Sequence, residues 1–160
     1  MALLRMQKRP RNAEVSGAPT GQDGDTMSLL EWKEQFSLGV AAMDREHKEL
    51  VDAMNHVHEL ATSGADKAAI DAAITHLVDL TKRHFDDEER HMEKIDYPDL
   101  SRHRRIHKDM LRKVGAHHQV FQAGNGEVDP QFFDFLVHWL AAHICHIDRK
   151  YARHPAPVEN

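Results

Sequence analysis

Residues 84–92 read HFDDEERHM. On a helix His84 and Glu88, four apart, share one face and stand about 6 Å apart along the axis. They are either a surface ion pair or two donors of a metal clamp, and the choice turns on whether that face points inward. Upstream and downstream the helical period continues. Ile70, Ile74, Leu77, Thr81, His84, Glu88 and Ile95 mark the inner side of a helix predicted from about Asp66 to near Asp96. Tyr97-Pro98 should end it, because the residue before a proline is pushed out of the helical region.

The same rhythm recurs on both sides. MDREHKELVDAMNHVHELATSG, from Met43, puts Met43, His47, Leu50, Met54 and Val57 on one stripe. Asp44 is its expected N-cap, and Ser63-Gly64 its stop. A third helix is predicted from Asp99 or Ser101 to Phe121, with His103, His107, Met110, Val114 and Phe121 on one face and AGNG as the break. Asp129-Pro130 pairs a cap with proline at the first helical position and opens a fourth helix. Phe132, Phe133, Leu136, Trp139, Leu140, His143, Ile144 and Ile147 lie on it, and Pro155 ends it at the latest. Four amphipathic helices with short links bury their stripes as an all-α, antiparallel up-down four-helix bundle. LLEWKEQFSLGV, residues 29–40, reads as an ordered N-terminal arm across the core, not as a long helix. Residues 1–27, rich in Gly, Pro, Thr and Asp, read as a flexible tail. The expected division is thus a tail over 1–27, the bundle over 28–151 and a second tail over 152–160.

Composition narrows the function. With 21 basic and 26 acidic residues the net charge is -5, which gives no broad attraction to nucleic acid or anionic lipid. No apolar run is long enough to cross a membrane, and the first residues lack the apolar stretch of a secretory signal. One cysteine, Cys145, allows no internal disulfide, so a cytoplasmic place is expected. The unusual feature is fourteen histidines scattered through the helical part, a surplus that points to metal.

Some of those histidines interrupt the apolar stripes. Helix by helix the inward donors are His47, then His84 and Glu88, then His103 and His107, then His143 with Asp148. One histidine on an inward face is ordinarily a satisfied core side chain. Five imidazoles and two carboxylates buried without partners would cost several kcal/mol, at roughly 1–3 per unsatisfied group. A metal pair removes that cost. Imidazole and carboxylate without thiolate suit iron, manganese or zinc. Seven protein donors exceed what one ordinary ion takes, and a carboxylate spans two ions where imidazole cannot, so Glu88 and Asp148 are the natural bridges. The step from His143 to Asp148 fits badly. Five residues on an α-helix turn about 140° past alignment, so Asp148 must reach sideways or the last turn must distort. His56, His58, His76, His91, His117, His118, His138, His146 and His154 receive no role.

The set resembles a known family. HFDDEE is similar to its HFxxEE element, YPDLSRHRRIH to YPxxxxHxxxH, WLAAHICHID to WLxxHIxxxD, and MDREHKEL to the xDxxHxxL element of the first helix. The arm at 29–40 resembles the one that begins single-domain bacterial hemerythrins, so the resemblance covers about residues 28–151. It implies a non-heme diiron site. One iron would take His103, His107 and His143, the other His47 and His84, with Glu88, Asp148 and an oxo or hydroxo group bridging them. The second iron would stay open to dioxygen. Leu50, Phe85, Trp139, Leu140 and Ile144 match the family's apolar pocket wall, though each is equally suited to ordinary core. The resemblance implies reversible dioxygen binding for storage, delivery or buffering by a monomer, not an enzyme. The expected partners are dioxygen and an electron donor or oxygen-consuming enzyme. Sensing through a separate partner, and weak diiron peroxidase or nitric-oxide chemistry, are the alternatives.

Overall fold

The computed structural model describes residues 28–155. The tail expected over 1–27 and the last residues of the C-terminal tail, 156–160, lie outside them. Four helices carry the bundle: α1 (Ala41–Ser63), α2 (Lys67–Lys94), α3 (Leu100–Ala123) and α4 (Pro130–Ala142). The last continues without a break through a π-helical stretch, His143–Asp148, into a short α5 (Arg149–Ala152). No strand occurs among the described residues.

The predicted stripes face inward. Val57 and Ile74 are fully buried, and Leu50, Leu77, Met110, Val114, Phe132, Leu136 and Leu140 join them in one apolar cluster. The arm is ordered, as the sequence predicts. Leu30 N donates to the Asn55 side-chain oxygen at 2.9 Å while Asn55 returns a bond to Leu30 O, and a 3-10 turn, Glu34–Phe36, seats Phe36 in the core.

Two helix ends differ from expectation. The N-cap of α1 is Val40, not Asp44. The Asp44 carboxylate accepts instead from Leu38 N, Gly39 N and Ser37 Oγ at 2.7–3.1 Å. The chain turns sharply at Gly39, with φ 80°, and the amides left bare there outbid those of the helix for the nearest carboxylate. Helix α2 stops at Lys94, before Tyr97-Pro98 is reached. Asp96 takes a left-handed conformation (φ 51°) and Tyr97 N donates to Met92 O at 2.9 Å, the Schellman pattern with aspartate in the position glycine usually fills. Gly64 ends α1 by the same device, the cap at Asp129 forms as read by accepting from Gln131 N, and Asp66, read only as the approximate start of α2, caps it by accepting from Ala69 N.

Candidate metal centre

All seven predicted donors meet at one level of the bundle. His47, His84, Glu88, His103, His107, His143 and Asp148 are each at most 3% exposed. One donor atom each of Glu88, His103, His107 and His143 fall within 4.8 Å of one another, and so do donors of His47, His84 and Glu88. The helices deliver them by different means. Spacing of four on α2 and α3 stacks His84 over Glu88 and His103 over His107. The fourth helix needs the π-helical stretch. Bonding from residue i to i+5 brings side chains five apart onto one side, so His143 Nε2 and Asp148 Oδ1 lie 2.9 Å apart. Of the two ways out of the spacing problem, the distorted turn is the one the chain takes.

The carboxylate oxygens divide between two groups of imidazoles. Glu88 Oε2 lies 3.2 Å from His103 Nε2 and 3.0 Å from His107 Nε2. Asp148 Oδ1 lies 3.3 Å from His103 Nε2 and is the oxygen beside His143. Asp148 Oδ2 turns the other way, 3.4 Å from His47 Nε2. Each spacing suits a first-row ion, since donors bound at roughly 2.1 Å and at right angles stand about 3 Å apart. Hydrogen bonding does not account for the crowding. His47 Nδ1 and Nε2, Glu88 Oε1, His143 Nδ1 and both Asp148 oxygens are buried without a hydrogen-bond partner. Groups so placed are costly unless something else coordinates them. A donor set of imidazole and carboxylate with no thiolate fits iron.

The charges tell the same story. Burial and the nearby Asp148 push the Glu88 carboxyl up, but hydrogen bonds from His103 and His107 outweigh them and hold it at about 2. Burial likewise opposes protonation of His103, yet Asp148 and Glu88 raise it to about 9. The pocket draws positive charge, which protons or metal ions can supply.

Three contributors escape a reading of the sequence. His84 Nδ1 donates to Glu46 Oε2 at 2.9 Å and His107 Nδ1 to Glu89 Oε1 at 2.8 Å, which turns each Nε2 inward. Tyr151, 1% exposed, packs its ring 5.9 Å from that of His103. Glu46 stands 38 residues from the ring it orients and Glu89 18, so only their neighbours His47 and Glu88 gave a hint. Among the residues matched to a pocket wall, Phe85 stacks on the His107 ring at 3.6 Å and Trp139 on the His143 ring at 4.7 Å. Leu50, Leu140 and Ile144 are buried in the adjoining core, while Trp139 is half-buried. Of the remaining histidines, His118 bonds Asp71 at 2.7 Å, and His91 lies edge-on to Tyr151, on whose ring His103 also packs.

Residues 38–154 match the family model described as the hemerythrin HHE cation binding domain. The chain belongs to the hemerythrin family. It is 36% identical over 125 residues to a bacteriohemerythrin of Pseudomonas aeruginosa, covering 78% of this chain and 80% of that one. A bacteriohemerythrin of Stenotrophomonas maltophilia is 33% identical over 126 residues, with 79% and 81% covered. Myohemerythrin-1 of Phascolopsis gouldii is 31% identical over 121 residues, with 75% and 89% covered. The fold is similar to the crystal structure of a hemerythrin point mutant, with TM-score 0.73, 29% identity, and 80% of this chain and 98% of that one covered. A hemerythrin domain implies iron, and the cluster of histidines and glutamate can hold it. No helix among the described residues is long and apolar enough to cross a membrane.

Proposed function

We propose that this hemerythrin-family chain binds dioxygen reversibly at a non-heme diiron centre, and that it acts as a carrier or buffer, not as an enzyme. His103, His107 and His143 would hold one iron and His47 and His84 the other, with Glu88 and Asp148 across both. The observation that carries the assignment is the division of the Asp148 carboxylate, one oxygen toward His143 and His103 and the other toward His47. The iron pair would lend dioxygen two electrons on binding and recover them on release.

The protein's own part is to hold, orient and keep dry. Glu46 and Glu89 hold their histidines in the tautomer that carries its proton on Nδ1, which would leave Nε2 free to bind a metal. Five imidazoles against two carboxylates give a donor set of modest negative charge, which favours mild exchange over cleavage of the oxygen bond. Leu50, Phe85, Trp139, Leu140 and Ile144 would exclude water and stray protons, which keeps the exchange reversible. None of these five carries a general acid or base, which supports a carrier over a catalyst. A monomer served by an electron donor, and delivering to an oxygen-consuming enzyme, completes the proposal.

Stopped-flow absorbance of the diferrous protein mixed with oxygen tests it. A stable oxygenated spectrum that deoxygenation reverses, at two irons per chain, is the expected result. Direct passage to diferric protein with turnover of an added reductant would overturn the carrier reading.

A further inference from the structure

The two halves of the centre receive unequal negative charge from the carboxylates behind their histidines. Glu89 spends both oxygens. Oε1 accepts from His107 Nδ1 at 2.8 Å, and Oε2 accepts from Arg104 Nε at 2.9 Å. Arg104 sits three residues before His107 on α3, so it reaches the same glutamate from one turn below, and its other end pairs with Glu93. Glu46 is different. Its Oε2 accepts from His84 Nδ1 at 2.9 Å, and among the described residues no lysine or arginine nitrogen lies within 4 Å of it. Solvent does not explain the contrast, because the Glu46 and Glu89 side chains are 16% and 21% exposed. What differs is the guanidinium.

A carboxylate that accepts an imidazole N–H pulls on that proton and raises the basicity of the far nitrogen. A guanidinium on the same carboxylate draws its charge away and weakens the pull. We infer that Arg104 is a positioning residue that, through Glu89, limits the electron density His107 gives its metal. The three-histidine half is thereby electron-poorer than the half backed by Glu46. This rests on the diiron reading above. It adds that the pair is unequal by construction and that a surface arginine sets the inequality.

Two measurements on Arg104→Gln test it. In protein free of iron or loaded with zinc, NMR should show the His107 Nδ1 proton moved downfield, as the unscreened Glu89 pulls harder. In iron-loaded protein the midpoint potential should fall, since a richer ligand favours the ferric state. Arg104→Lys, which keeps the charge, should hold both close to the parent. Glu46→Gln should move the potential the opposite way. In a Glu89→Gln background the Arg104→Gln change should disappear, because its route is gone.

An unmoved His107 proton in Arg104→Gln overturns the inference, and so does an equal fall in potential with or without Glu89, which would mark bare long-range charge. Failure to load two irons would count against the diiron reading alone. The NMR arm would still decide whether Arg104 acts on His107.

Discussion

At the scale of the residue, what matters is which atoms would be stranded. Removing the Glu88 side chain strips His103 and His107 of their shared oxygen and would leave the two imidazole groups joined by Asp148 alone. Glu88→Ala should therefore purify with well under two irons per chain by elemental analysis, and a full complement would refute its bridging role. Trp139 poses a separate question. It stacks on His143 and meets Phe85 edge-on at 5.8 Å, yet donates nothing to the cluster. Trp139→Ala should keep the iron and speed loss of the oxygenated spectrum several-fold, by letting water reach the site. An autoxidation rate equal to the parent's would rule out a drying role. Six of the seven clustered side chains could be read in the sequence because each breaks an apolar stripe at helical spacing, whereas Asp148, five residues from His143, sits out of that spacing on a regular helix. Glu46, Glu89 and Arg104 could not, because their partners are set by which helices pack together.

At the scale of the element, periodicity located all four helices and capping chemistry located only some of their ends. Asp129 caps as read, and Asp66, read only as the approximate start of α2, caps as well, because among the described residues nothing else competes for their carboxylates. Asp129→Ala should lower stability by about 1 kcal/mol in a denaturant titration, with the iron content unchanged because the cap lies far from His143 along α4. No measurable change would mean that Pro130 alone fixes the start. Asp44 has the same look in the sequence and serves the arm instead, since the bare amides of Leu38 and Gly39 and the Ser37 hydroxyl come within its reach only once Gly39 turns the chain back. The π-helical stretch was foreseen only as a conflict. The spacing of five left open whether Asp148 reaches sideways or the last turn distorts, and the chain takes the distorted turn.

At the scale of the whole molecule, the cluster ties folding to protons and metal together. His103 is raised from an ordinary 6.5 to about 9, so its contribution to the iron-free fold is complete below 6.5 and disappears as pH climbs through 9. Glu88 is lowered from 4.5 to about 2, so its contribution is complete above 4.5 and disappears as pH falls through 2. Together they favour the iron-free fold most between those ordinary values. Metal must displace the His103 proton to bind, so loading becomes easier as pH rises. Iron-free protein should melt higher at about pH 5.5 than at about pH 8.5, and the gain in melting temperature on loading should be larger at the higher value. Equal gains at the two values would detach the cluster from this linkage.

The widened turn between His143 and Asp148 has a mechanical corollary. It accommodates a surplus residue within an otherwise regular rod, and such a surplus can migrate along the rod if its tether is released. Chelation of the metal should release it, and amides near Ile147 to Arg149 should then take up deuterium faster, by more than those of α1, which lacks a widened turn. Exchange at those amides would thus report, from the C-terminal rod, whether the centre is occupied.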